Sequence, residues 1–325
     1  MIKQILSFLF VLCFCLNSYS QIDGVRVTYI RNPDNSCDFY YEKNDYATYH
    51  LIIKFEAIKN TKPFFYEGNI KENSGFLFQL KPIKAEKKIK FICEPFFLKG
   101  NPNPKIDRNF KYLLPFKNDQ KVEISTIMMM LDGLDEGNNY YASFINYSSS
   151  LQTETIHAMR KGIVINVINE YDFDPKSFDI FYEKRNSITI EHEDGTLATY
   201  SGFNKNSIRV KIGQTVLPTD YLGVLEKSVD NWYHLFFQIY YRAYVKDVFP
   251  DKKEDLNSRI AKKIDPFFHT KNGIITLDGA LYDTKNYIVE TPDEIITQEF
   301  TKEDFQKRTE SLSKIKLKTN TATSY

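Results

Sequence analysis

Few residues in this chain are of a type that does chemistry, and they are widely spaced. Five histidines are spread over 325 residues, and of four cysteines only Cys37 and Cys93 lie beyond the first twenty positions. His157 and His192, with Asp132, Asp135 and Glu136, are acceptable ligand types for a zinc ion, which takes nitrogen and oxygen donors in a tetrahedral set. Against that chemistry, His157 only precedes a strand pattern and His192 abuts an Asp194-Gly195 turn, so both also read as surface or hairpin histidines. Asp172 and Asp174 make an Asp-x-Asp pair of the kind that begins a calcium loop, but without further oxygen donors it reads as a solvated loop. No Gly-x-Ser-x-Gly elbow, phosphate-cradling glycine loop or dinucleotide fingerprint occurs in the sequence.

The elements that must position these residues are mostly strands. Phe and Tyr number 26 and 22 against a single Trp, and ringed side chains suit a half-buried pleated surface. Short strand patterns run over Val25–Tyr29, Tyr49–Phe55, Phe76–Leu80 and Lys88–Phe97, separated by turn clusters such as Asn32-Pro33-Asp34-Asn35 and Gly100-Asn101-Pro102-Asn103-Pro104. They predict an immunoglobulin-like β-sandwich over residues 21–116. A second strand-rich unit over 117–250 carries Gly162–Ile168, Ser187–His192, Thr196–Tyr200, Ile208–Ile212 and Trp232–Tyr241. A polar extension over 251–325 offers a short β piece at Ile274–Tyr282 and a helix opened by Thr301 and Asp304 in a capping box. Lys plus Arg total 43 against 42 Asp plus Glu, a balance that argues against a nucleic-acid binder.

Residues 1–20 read as a secretory signal peptide, with Lys3 before an apolar run from Ile5 to Leu16 and Ser18-Tyr19-Ser20 as cleavage site. The expectation is a periplasmic or extracellular protein with no membrane span after signal removal. Cys37 and Cys93 are then an even pair in an oxidising compartment, candidates for a disulfide, with two separate buried thiols as the alternative.

One series of motifs ties the second unit together. Arg160-Lys161-Gly162-Ile163-Val164 is followed by His192-Glu193-Asp194-Gly195-Thr196 with Thr199-Tyr200, then by Gly213, Gly223 and His234-Leu235-Phe236. In this order, and with Tyr112-Leu113-Leu114-Pro115-Phe116 upstream, it resembles metallopeptidase family 23, the lysostaphin and LytM-type zinc endopeptidases that cut peptidoglycan cross-links. The resemblance implies a LytM-like β-rich domain and a site where a His and an Asp from an early segment, with the second His of a His-x-His strand, hold zinc. This chain departs from that pattern at each ligand. Phe236 stands at the His-x-His position, Ser143 at the Asp, no His lies among 132–139, and Gly202 replaces an auxiliary His; His234 alone is retained.

The implied protein is a pseudoenzyme: exported, without cofactor, and binding cell-wall peptide or a wall hydrolase through a groove bordered by Tyr200, His234, Phe236 and Gln238. Two rivals carry other expectations. One is an active zinc endopeptidase with unorthodox ligands, and the other a structural surface or adhesion subunit.

Overall fold

The computed structural model describes residues 17–22, 24–130, 139–147, 154–174, 184–228, 231–244, 259–276 and 284–310. The molecule is mainly β and divides into two compact units, Met1–Leu98 and Lys99–Tyr325.

The first unit is built from β1 (Asn17–Ile22), β2 (Val25–Arg31), β3 (Cys37–Lys43), β4 (Tyr49–Lys59), β5 (Tyr66–Ile70), β6 (Ser74–Leu80) and β7 (Lys90–Lys99). One sheet has the order β1-β2-β3-β6 and the other β5-β4-β7. Period-2 alternation explains the layering: along β3 Cys37, Phe39 and Tyr41 are buried while Asp38, Tyr40 and Glu42 are less so. Rings from both sheets meet between them, with Phe39 and Phe78 of the first against Phe55 and Phe91 of the second at centroid distances of 5.5–6.0 Å. This is the sandwich the strand pattern predicts. Its larger sheet begins as a β1-β2-β3 meander, where an immunoglobulin constant domain would follow an A-B-E-D order. Residues 1–16 of the expected leader lie outside the described residues, and 17–20 belong to β1.

The disulfide expectation is corrected here. Cys37 and Cys93 are free thiols, 0% and 5% exposed. Each is taken up as a small apolar side chain on its own strand, β3 in one sheet and β7 in the other. Burial pushes the Cys93 thiol up to about 11.

The second unit comprises β8 (Lys111–Leu113), β9 (Lys121–Met130), β10 (Asn139–Tyr147), β11 (Thr155–His157), β12 (Gly162–Ile168), β13 (Asn186–Glu191), β14 (Leu197–Phe203), β15 (Thr215–Val216), β16 (Tyr221–Val224), β17 (Tyr233–Tyr244), β18 (Arg259–Lys263), β19 (Phe267–Thr270), β20 (Gly273–Ile275) and β21 (Thr284–Ile288). Nine of them form one sheet, β15-β12-β13-β14-β17-β10-β9-β21, with β18 added to the far half of β17. Its buried side carries Val164, Ile188, Ile190, Ala198, Tyr200, Leu235, Phe237 and Ile239 in one core cluster. The aromatic run at 232–241 is a strand, as its ring content predicts. Ile208–Ile212 is not: Ile208 and Val210 are buried alternately, but the backbone there has no ladder, only single bonds such as Arg209 N–H to the Leu222 carbonyl at 2.9 Å.

The boundary between units falls at residues 98 and 99, earlier than the sequence boundary at 116, because β8 belongs with later strands. It pairs in parallel with β19, Tyr112 opposite Phe268. The C-terminal stretch read as an extension is likewise part of the second unit, since β21 pairs β9 along Thr284–Ile288. Of the β piece expected at 274–282, β20 covers the start, and 277–283 lie outside the described residues. A short helix, Asp293–Ile296, packs Ile295 and Ile296 on Leu113, and residues 302–310 are helical. The capping box forms as expected, with Asp304 Oδ2 accepting from Thr301 N–H at 2.7 Å and Thr301 Oγ1 accepting from Asp304 N–H at 3.3 Å. Among the described residues no helix is long and apolar enough to cross a membrane.

Candidate functional site

Strand register decides which of the predicted site residues can meet. In an antiparallel pair, residues directly opposite share a face, and a one-residue offset moves a residue to the other side. Gln238 is opposite Thr199, Thr199 opposite Thr189, and Thr189 opposite Asn166. These four make a polar row across β17, β14, β13 and β12, on the face turned away from the core cluster. His234 and Phe236 lie on the same face two and four residues along β17. The Thr189 and Thr199 hydroxyls are 3.2 Å apart, and Thr199 Oγ1 is 3.3 Å from Tyr240 Oη. Beside the row a hollow of about 240 Å3 is lined by Asn166, Thr189, Leu197, Tyr240 and Arg242. The Gln238 amide nitrogen is buried and has no hydrogen-bond partner among the described residues.

Tyr200 does not border this groove. It is opposite Phe237, on the core face, fully buried, and its hydroxyl accepts a hydrogen bond from Met159 N–H at 3.0 Å. Burial raises its pKa. In the register of β10 with β17 the Cα partner of Ser143 is Phe237, and Phe236 is opposite Phe144. The two positions expected to share a metal are therefore one residue out of register.

Phe236 is 7% exposed, and the Arg185 guanidinium lies 4.1 Å from its ring centroid. Around this pair a crevice of only about 10 Å3 is lined by Gly202, Glu226 and His234 among others. A side chain at Gly202 is excluded twice. Its φ is +111°, and a Cβ there would fall 2.4 Å from the His234 carbonyl oxygen. The auxiliary imidazole is thus missing from a bulge at which only glycine fits.

The other metal candidates are dispersed. Asp132, Asp135 and Glu136 lie outside the described residues. His157 donates from Nδ1 to the Thr219 carbonyl at 2.9 Å, while His192 donates from Nδ1 to the Lys161 carbonyl at 2.8 Å. Burial, then the Arg160 charge, lower the His192 pKa to about 4. Asp172 pairs with Lys205 at 2.8 Å on the surface. No group of three His, Cys, Asp or Glu among the described residues is placed to hold a metal ion.

The His-x-Asp-Gly-Thr motif turns out to serve a buried ion cluster that the motif series alone does not reveal. Arg160, 4% exposed, donates to Asp194 at 2.7 Å, to Tyr112 Oη at 2.8 Å and to both Glu299 oxygens at 2.9 and 2.5 Å. Its guanidinium also lies 3.9 Å from the Phe110 ring centroid. Asp194 Oδ1 accepts in addition from the Thr196 N–H and hydroxyl. Burial disfavours the charged Asp194, but Arg160 and the Thr196 bonds outweigh it and hold the carboxyl below its ordinary range. The signal was an arginine immediately before a buried strand; its partner Glu299 lies 139 residues away.

No family model matches the chain, and no curated protein matches it. Among solved structures it is similar to the SpoIIQ–SpoIIIAH pore-forming complex, at 15% identity over 40% of this chain and 84% of that one, with a TM-score of 0.27. It is similar to the M23 metalloprotease pseudoalterin from the deep sea, at 14% identity over 53% of this chain and 98% of that one, TM-score 0.30. A third is Csd3 of Helicobacter pylori, at 10% identity over 90% of this chain and 77% of that one, TM-score 0.27.

Proposed function

We propose that this chain is an exported, peptidase-like protein that binds cell-wall peptide, or a wall hydrolase, without cleaving it. The motif series of its second unit supports the peptidase-like reading, and the residues at the ligand positions support loss of catalysis. Phenylalanine has no lone pair for a metal, Ser143 brings no carboxylate, and Gly202 has no room for an imidazole.

The observation that carries binding is the buried Gln238 amide nitrogen, which has no hydrogen-bond partner among the described residues. A buried donor left without an acceptor costs ~1–3 kcal/mol, and a bound peptide carbonyl would satisfy it. The polar row beside it supplies further hydroxyl and amide groups at strand spacing, the pattern that an extended peptide backbone can meet. Shape and apolar contact come from Leu197 and Tyr240, which line the hollow.

Calorimetric titration of the mature protein with peptidoglycan stem peptides, and pull-down of wall hydrolases, test the reading. Gln238→Leu and Thr199→Val are expected to weaken association about tenfold, the value of one or two buried hydrogen bonds, with unchanged thermal midpoints. Unaltered affinity in both variants would reject the groove. One tightly held zinc per chain, lost on chelation together with peptide cleavage, would establish the enzyme reading instead.

A further inference from the structure

Overall charge balance conceals a local excess in the first unit. Two loops at one end of its sandwich, residues 59–65 and 81–90, carry Lys59, Lys62, Lys81, Lys84, Lys87, Lys88 and Lys90 against a single acid, Glu86. All seven lysines are exposed, and none is held in an ion pair among the described residues. Outside the loops, Asp34 faces Lys81.

The same loops expose their apolar side chains. Phe64 is 40%, Phe65 64% and Ile83 67% exposed. Phe64 keeps one side on the core, 4.7 Å from Phe78 between ring centroids, so its neighbour Phe65 is left without a core to enter. Neither loop is loose. Asn60, at a left-handed φ of +61°, ties them together. Its side chain donates to the Lys84 and Lys87 carbonyls at 3.0 and 2.7 Å and accepts from Lys84 N–H at 2.9 Å. Its carbonyl accepts from Ile83 N–H at 2.9 Å, and Thr61 Oγ1 donates to the Lys81 carbonyl at 2.7 Å. Asn35 adds a bond to the Ala85 carbonyl at 2.8 Å.

A braced platform of lysines with aromatic and aliphatic side chains standing out of it has a specific physical complement. Soluble polyanions satisfy the lysines and leave Phe65 and Ile83 in water. Protein interfaces favour Phe but are depleted in Lys. An anionic bilayer meets both demands, because the headgroups attract the ammonium groups while the acyl boundary takes up the rings and the Ile side chain. Lysine stems reach along that boundary with their charges kept in the headgroup layer. We propose that the end of the first unit formed by residues 59–65 and 81–90 docks on an anionic lipid surface, with Phe65 and Ile83 inserted.

Flotation of the mature protein with phosphatidylcholine vesicles, with and without phosphatidylglycerol, tests this. Binding is expected only with the anionic lipid and is expected to fall as salt rises. The triple variant Lys84→Glu, Lys87→Glu, Lys88→Glu should bind at least about tenfold more weakly, given the attraction of each lysine to the surface. A second measurement reports insertion without relying on those changes. With Trp232, the only tryptophan, replaced by Phe and Phe65 by Trp, fluorescence should shift to the blue on anionic vesicles and be quenched by brominated lipid. Equal binding to both vesicle types overturns the proposal, as does capture by soluble dextran sulfate with no spectral shift on vesicles.

Discussion

At the scale of single residues, Phe236 fills a closed and braced place. Phe236 is closed between β17 and Arg185, so Phe236→Ala is expected to cost ~3–5 kcal/mol in urea denaturation, as truncation of a buried ring does. Restoring the imidazole alone should not restore a site. Phe236→His is expected to bind no stoichiometric zinc by elemental analysis, because position 143 lies in the register of Phe237 and the bulge at Gly202 admits no side chain. A different residue sets a pH response. Burial raises the Glu154 carboxyl to about 7, against the lowering effect of its bond from Gln120. The folded state therefore holds this proton at pH values where the unfolded chain has released it. Its stability contribution is complete below the ordinary pKa and is lost as pH rises from about 4.5 to about 7, by up to ~3 kcal/mol. Glu154→Gln should remove that decline, read as the difference between the two unfolding free energies across the range. The types of residue at these positions were legible from the sequence; their faces were not. Tyr200 follows Thr199 and so takes the opposite face, and which of the two alternating faces meets the core is decided by packing across the sheet rather than by the residues of β14 themselves.

At the scale of elements, the best-read features were those whose cause is local. Asp194-Gly195 gives its turn, and Thr301 with Asp304 caps the helical residues 302–310, because each device closes within four residues. The ion cluster escaped the sequence since its members come from β8, the start of β12, the β13–β14 turn and the C-terminal segment. It makes Arg160 the fastening between the sheet and that segment. Arg160→Ala is expected to cost ~3–5 kcal/mol, because it removes the buried cation and leaves the partly buried carboxylates of Asp194 and Glu299 without it. Thr301→Ala should cost only about 1 kcal/mol, the value of a lost cap, and appear as faster limited proteolysis within 302–310. If Arg160→Ala unfolds at the same denaturant midpoint as the parent, the cluster is not what holds the segment.

At the scale of the whole molecule, the chain is two units, and the second has its own core. Residues 99–325, expressed alone, are expected to give one cooperative unfolding transition by circular dichroism and calorimetry. What completes that unit is the parallel pairing of β8 with β19, which joins Lys111 to Phe267. A chain made N-terminus first carries β8 without its β19 partner for as long as the intervening segment is still arriving. Closing so long a loop is slow, and topology of this kind sets folding rates. The first unit has no such debt to later residues and can fold as soon as Lys99 has emerged. The second must wait for its own ending, so the order in which the two fold is written into one short pair of strands.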